Sequence, residues 1–193
     1  MPLNEYRRKR NFAASSEPVG REPADMDRRF VVQKHDATRL HYDFRLEVGG
    51  VLASWAVPRG PSMNPADKRL AVRTEDHPLE YADFEGVIPE GQYGAGTVMV
   101  WDRGTYDVHG DDPLDRQLAR GTVDIILHGK KLRGRFTLVR FKGSSPRSSG
   151  RDNWLLMKQH DAYADPSWNI ERPTLDRSVL TGRTMATIAR DGV

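Results

Sequence analysis

The residues best equipped for chemistry lie within Gln33-Lys34-His35-Asp36-Ala37-Thr38-Arg39-Leu40-His41-Tyr42-Asp43-Phe44-Arg45. His35, His41 and Asp43 form a two-imidazole, one-carboxylate set suited to a divalent transition metal such as manganese, zinc or iron. Three protein ligands leave coordination positions open, as a catalytic metal requires. Arg45 adds a guanidinium whose planar fork can take two phosphate oxygens. Singly, each of these is an ordinary polar residue of a half-buried strand, and Arg45 could simply pair with Glu47. Their occurrence together points to a site.

The element that must hold them is legible in the alternation from Leu40 to Val48. Read as a strand, it puts His41, Asp43, Arg45 and Glu47 on one face and Tyr42, Phe44, Leu46 and Val48 on the other. One face is ready for a core, and His35 would fold back from the preceding loop. A second candidate is His77 in Glu75-Asp76-His77-Pro78-Leu79-Glu80-Tyr81, a loop histidine placed to act as general acid or transition-state donor, with Tyr81 offering a hydroxyl. Arg59 and Arg69 read as strand-end cations able to hold phosphate. Gly91-Gln92-Tyr93-Gly94-Ala95-Gly96 lacks the ending of a P-loop and reads as a tight turn between strands. His109, His128 and His160 have no companions at ligand spacing.

The chain divides into a basic arm over 1–29, a domain over 30–162 and a polar tail over 163–193. Few apolar positions in the arm predict mobility there. The domain shows short β-like runs: Phe30–Lys34, Leu40–Val48, Val51–Pro58, Arg69–Thr74, Thr97–Trp101, Thr105–His109, Thr122–His128, Arg133–Phe141 and Asn153–Lys158. Gly49-Gly50, Asp102-Arg103-Gly104 and Gly129-Lys130-Lys131 read as turns. Pro113–Arg120 before Gly121 reads as a helix, a second short one is expected over Met185–Arg190, and 142–152 reads as a mobile loop. This predicts a mainly β protein, an antiparallel β-barrel with one or two short helices and flexible termini. The chain has no cysteine, which excludes disulfides and thiolate chemistry, and no apolar run of membrane-spanning length. No apolar stretch follows its basic start, so no secretory signal is expected and a cytoplasmic protein is the default. A net charge of +3 permits a phosphorylated or nucleic-acid partner.

Phe30-Val31-Val32-Gln33-Lys34-His35, Leu40 through Glu47, Gly50 through Pro58 and Glu85 through Gly96 together resemble the 3′-phosphoesterase domain of bacterial DNA ligase D, a domain that also occurs alone. The similarity runs from about Tyr6 to about Ala162. The segment Ser178–Thr184 looks like the one that leads towards the ligase module in fused proteins, and a stand-alone esterase is expected. The resemblance implies a β-barrel with the site on its outer surface. It also implies a manganese-dependent enzyme that removes a 3′-terminal ribonucleoside to leave a 3′-phosphate, and then hydrolyses that phosphate to a 3′-hydroxyl. By position it implies His35, His41 and Asp43 as Mn2+ ligands; Arg45, His77, Gln33, Tyr81 and Arg69 in catalysis; and Arg59, Arg10 and Glu17 towards substrate. Two positions depart from the family pattern: Arg59 replaces a lysine, and Asn11 replaces an aspartate.

The expected mechanism seats a phosphate oxygen on the metal and another on Arg45, with protonated His77 assisting the leaving oxygen. The implied partners are DNA or RNA-tailed DNA 3′ ends, with a separate ligase or polymerase and a Ku-type end-joining factor. Two other readings stand beside it. One is a nucleic-acid-binding barrel without catalysis. The other is a two-histidine, one-carboxylate iron oxygenase, which would need a cofactor pocket inside the barrel.

Overall fold

A computed structural model of the chain describes residues 3–20, 28–141 and 150–192. Its strands are β1 (Arg29–Asp36), β2 (Leu40–Val48), β3 (Val51–Val57), β4 (Arg69–Arg73), β5 (Gly86–Ile88), β6 (Gly96–Val108), β7 (Thr122–Gly129), β8 (Arg133–Phe141) and β9 (Asn153–Lys158). The helices are α1 (Asn4–Arg8), α2 (Leu114–Arg120) and α3 (Met185–Asp191), and Leu79–Asp83 forms a 3-10 turn. The sheet runs β1-β2-β3-β4-β9-β8-β7-β6, and β6 pairs back onto β1. Eight antiparallel strands therefore close a barrel, and β5 adds to the outer end of β6.

The period-two pattern decides which way each side chain points. Tyr42, Phe44 and Leu46 enter the interior with Phe30, Val32, Trp55, Trp101, Phe136 and Trp154. Trp55 and Trp154 pack edge to face at 5.7 Å between ring centroids, so large side chains fill the barrel. A filled interior has no room for the cofactor pocket an oxygenase would need. The β2–β3 hairpin turns at Gly49 and Gly50, whose φ values of 57° and 78° are those of a tight primed turn. α2 starts after Pro113 and ends at Gly121 in the left-handed region, as its sequence requires.

Three expectations need correction. Asp102-Arg103-Gly104 does not turn: it lies inside β6, which joins the two predicted runs around it. The Asp102 carboxylate is buried and accepts from the N–H groups of Lys130, Lys131 and Leu132, anchoring the neighbouring hairpin. Gly104 passes so close to His128 that a Cβ would meet its carbonyl oxygen at 2.1 Å. A turn-like composition thus reflects one buried acceptor and one close approach. Secondly, the arm is anchored at Tyr6, which is wholly buried within a small apolar cluster with Val31, Leu52, Tyr81 and Val100. Residues 21–27 lie outside the described residues, as do 142–149 of the loop expected to be mobile. Thirdly, the polar tail carries Trp168, Ile170, Leu175, Met185 and Ile188, which pack against the barrel core.

The face assignment is testable by contrast. Phe44→Ala should lower the unfolding free energy by about 3–5 kcal/mol in urea denaturation. Leu70→Ala, at a residue 41 % exposed on the outer face of β4, should change it by less than about 0.5 kcal/mol. Equal losses would refute the assignment.

Candidate active site

β1, β2 and β3 lay the site out as a grid on the outer wall. His35 stands opposite His41, Gln33 opposite Asp43, and Asp43 opposite Ala56. Directly opposed residues share a face about 5 Å apart, so backbone pairing alone brings the three candidate ligands together. His35 is therefore a strand residue rather than part of a loop folding back. Ala56 is small, which leaves space beside Asp43. A cavity of about 320 Å³ opens there, lined by His35, His41, Asp43, Arg45, His77 and Tyr93 among others.

Hydrogen bonds assign the ring nitrogens. His35 Nε2 lies 2.8 Å from the Gly94 carbonyl oxygen, and His41 Nδ1 lies 2.9 Å from that of Arg39. A carbonyl only accepts, so both nitrogens carry the proton. The other nitrogens, His35 Nδ1 and His41 Nε2, face one carboxylate oxygen, Asp43 Oδ2, at 3.4 and 3.5 Å. The ligand atoms of the three residues all lie within 4.8 Å of one another. Outer partners that fix the ring and turn its lone pair inward are the usual support of metal-binding histidines, so this donor set fits a divalent metal.

Burial alone would push the Asp43 carboxyl up. The Arg45 guanidinium, with the imidazoles of His35 and His41 beside it, outweighs it and holds the group well below the usual carboxylate range. For His41, burial disfavours the charge, but the hydrogen bond that a protonated Nε2 gives Asp43 and the negative charge of that carboxylate win and raise the imidazole above its ordinary value when no metal is bound. Arg45 itself is fixed from three sides. Its Nε donates to Gln33 Oε1 at 2.8 Å, Nη2 lies 3.3 Å from Asp43 Oδ2, and the guanidinium sits 5.0 Å from the centre of the Tyr81 ring. Gln33 in turn donates to the carbonyls of Tyr81 and Phe84 at 2.8 and 2.9 Å. Gln33 is thus a positioning residue for Arg45. Arg45 Nη1 and Thr74 Oγ1, on two residues that line the cavity, are buried without a hydrogen-bond partner among the described residues. Buried donors left open in this way suit an oxyanion.

His77 corrects the expectation of a protonated acid. Its Nδ1 donates to the Glu75 carbonyl at 2.9 Å, and its Nε2 accepts from Arg10 Nη2 at 3.2 Å. Burial, then the charges of Arg45 and Arg10, hold it well below its ordinary value, so the imidazole is neutral. The Tyr81 phenol is likewise pushed well above its ordinary value by burial and stays protonated.

Arg10 belongs to the packed N-terminal segment. It binds Glu17 at 2.7 Å and Glu75 at 3.1 Å, and lies 3.8 Å over the Tyr6 ring. Glu17 therefore reaches Arg10 and Ser15, holding the guanidinium in place. Glu75 and Tyr6 carried no role in the sequence reading; the one local hint was a carboxylate two residues before His77. Arg59 and Arg69 are not brought into this cavity. They line a separate cleft with Lys34, Tyr42, Trp168 and Asp176, and Arg69 binds Asp67 at 3.1 Å. Asn11 is exposed and accepts from the Ala13 N–H.

Residues 33–140 match the family described as the DNA ligase D 3′-phosphoesterase domain. The chain is 50 % identical over 191 residues to the multifunctional non-homologous end joining protein LigD of Pseudomonas aeruginosa, covering 95 % of this chain and 22 % of that protein. It is 48 % identical over 157 residues to the multifunctional non-homologous end joining DNA repair protein LigD of Mycobacterium tuberculosis, covering 79 % and 19 %. Against LigD of Mycolicibacterium smegmatis it is 42 % identical over 168 residues, covering 82 % and 21 %. The chain thus spans about a fifth of the length of these relatives. No helix among the described residues is long and apolar enough to cross a membrane.

The two shifted imidazoles should titrate on opposite sides of about 6.5, the ordinary histidine value. In metal-free protein followed by NMR of the ring protons, His41 should titrate above it and His77 below it. Asp43→Asn should bring His41 down. By linkage, His41 adds stability that is complete below its unfolded value and is lost as pH rises through its folded one. His77, neutral when folded, removes stability as pH falls below about 6.5. Shifts of the same sign would overturn the charge environment assigned to the two rings.

Proposed function

The chain belongs to the DNA ligase D 3′-phosphoesterase domain family, and from that membership we propose that it is a metal-dependent hydrolase that trims DNA 3′ ends for end joining. In the finer reading it hydrolyses the phosphodiester of a 3′-terminal ribonucleotide, releasing the ribonucleoside and leaving a 3′-phosphate. It then hydrolyses that monoester to a 3′-hydroxyl that can be ligated. The observation that carries this reading is the pair of imidazoles whose outer nitrogens are spent on backbone carbonyls while their inner nitrogens and an Asp43 oxygen lie within 4.8 Å of one another.

His35, His41 and Asp43 would hold the cation, for which the family resemblance implies Mn2+. When bound, such a cation supplies positive charge to a phosphoryl oxygen and acidifies water. Arg45 offers its open Nη1 to another phosphoryl oxygen and offsets the charge that builds there. Gln33 and Tyr81 keep that guanidinium aimed. Arg10 keeps Nε and Nη1 on Glu17 and Glu75 and redirects only Nη2, from His77 to an oxygen of the incoming phosphate, which frees the Nε2 lone pair. The added negative charge favours a proton on that nitrogen, so the acid needed by the leaving oxygen is loaded only with substrate. Water adds to phosphorus and gives up a proton to solvent, the P–O bond to the ribonucleoside breaks, and the departing oxygen takes the His77 proton, which solvent restores. Arg59 and Arg69, in their separate cleft, are proposed to meet the strand away from the scissile bond. The substrate is a DNA or RNA-tailed DNA 3′ end, the setting is the cytoplasm, and a ligase, a polymerase and a Ku-type factor are the proposed partners.

A labelled primer–template ending in one 3′-ribonucleotide, incubated with the chain and manganese, tests this reading. Shortening to a 3′-phosphate and then to a 3′-hydroxyl is expected, with EDTA stopping both steps. Arg45→Lys, which keeps the charge but loses the fork, should lower kcat about 10²–10³-fold, and His41→Ala should abolish turnover. Undiminished turnover by His41→Ala would sink the metal assignment.

A further inference from the structure

Tyr93 is a large aromatic at the cavity that the mechanism above leaves unused. It is 48 % exposed, yet it lines the same cavity as His35, Asp43 and Arg45. It sits on the loop between β5 and β6, within the turn closed by Ala95 N–H to Gln92 O at 3.1 Å and just after the one closed by Gln92 N–H to Pro89 O at 3.2 Å. Gly91 and Gly94, at φ 82° and 76°, supply the left-handed corners these turns need. The loop is also pinned from the site side, because the Gly94 carbonyl is the one that holds His35 Nε2. The residue next to Tyr93 therefore ties this stretch of backbone to a candidate metal ligand. Lys9 Nζ and Arg10 Cζ lie over the ring, 4.9 and 5.4 Å from its centre, and are themselves paired with Glu75, so the ring rests against the packed N-terminal segment.

Deep in the cavity the open Nη1 of Arg45 marks a place for a phosphoryl oxygen. At the rim stands an aromatic ring that is half exposed, with Lys9 and Arg10 over it. A phosphate at one end and an aromatic face at the other match the two ends of a nucleotide, and every base has a face to stack, whatever its sequence. Resting on the end-processing reading, we propose that Tyr93 is the platform on which the 3′-terminal nucleobase stacks while its phosphodiester sits against Arg45. The preferred substrate is then a 3′ end whose last base has left the duplex stack, recognised by its π face rather than by its hydrogen-bonding edge.

The test compares primer–templates ending in a 3′-ribonucleotide with a base and in an abasic ribose. The wild type should favour the base-bearing end in KM by roughly five- to hundredfold, with little change between the four bases. Tyr93→Ala should lose that preference and Tyr93→Phe should keep it. Independently of turnover, with EDTA present, a terminal 2-aminopurine should be quenched on binding the wild type and Tyr93→Phe but not Tyr93→Ala. If Tyr93→Ala weakens both ends equally, the ring acts only by holding Arg10 and Lys9, and the stacking assignment falls. It falls equally if Tyr93→Ala matches the wild type on both ends, while cleavage by the wild type leaves the end-processing reading standing. A wild type that cleaves neither end and binds neither would overturn both.

Discussion

A carboxylate withdrawn from water must be neutralised where it stands, and Asp43 imposes that condition on everything around it. One oxygen of Asp43 serves two imidazoles and a guanidinium. The guanidinium is in turn steered by Gln33, whose amide is tied to the carbonyls of Tyr81 and Phe84. In this way one buried negative charge organises two strands and the turn that covers them. A second buried cluster, Arg10 with Glu17 and Glu75, does the same for the N-terminal segment. The two clusters meet at His77, which stays neutral because burial and a guanidinium on each side disfavour a further positive charge.

The barrel contributes by being filled. With Trp55, Trp101, Trp154 and Phe136 occupying the interior, β1, β2 and β3 are held from behind. The outer side chains can then be placed by register alone, and the grid of His35 with His41 and Gln33 with Asp43 follows from backbone pairing. Chemistry on the wall of a solid barrel differs in kind from chemistry in a barrel's mouth. The substrate need not fit a fixed hole, and the enclosing parts are the small, separately mounted pieces around Tyr6, Tyr81 and Tyr93.

Features that depend on neighbours in sequence were readable from it. The alternation from Leu40 to Val48 separated core from site, and the ligand types at His35, His41 and Asp43 announced a donor set. The Gly49-Gly50 turn and the ends of α2 carried their own local chemistry. What could not be read depends on long-range partners. Asp102 and Gly104 look like a turn until the three backbone N–H groups and the close-passing His128 carbonyl are in place. Arg10 looks like one charge of a solvated arm, because its partners Glu17 and Glu75 are seven and sixty-five residues away. His77 looked like a ready acid because nothing in its own segment showed the two guanidiniums beside it. The short helix at Met185 was legible, but the sparse apolar residues Trp168, Ile170 and Leu175 showed no period, and their places on the barrel core depend on partners far away in sequence.

The pairing of β6 back onto β1 also has a consequence for assembly. A sheet that closes on itself presents few unpaired N–H and C=O groups, and β5, the strand that stands outside the ring, is three residues long. Such a unit offers little to which a foreign strand could add. It can therefore sit beside other folding units on one polypeptide without exchanging strands with them, which suits a domain whose relatives are about five times its length.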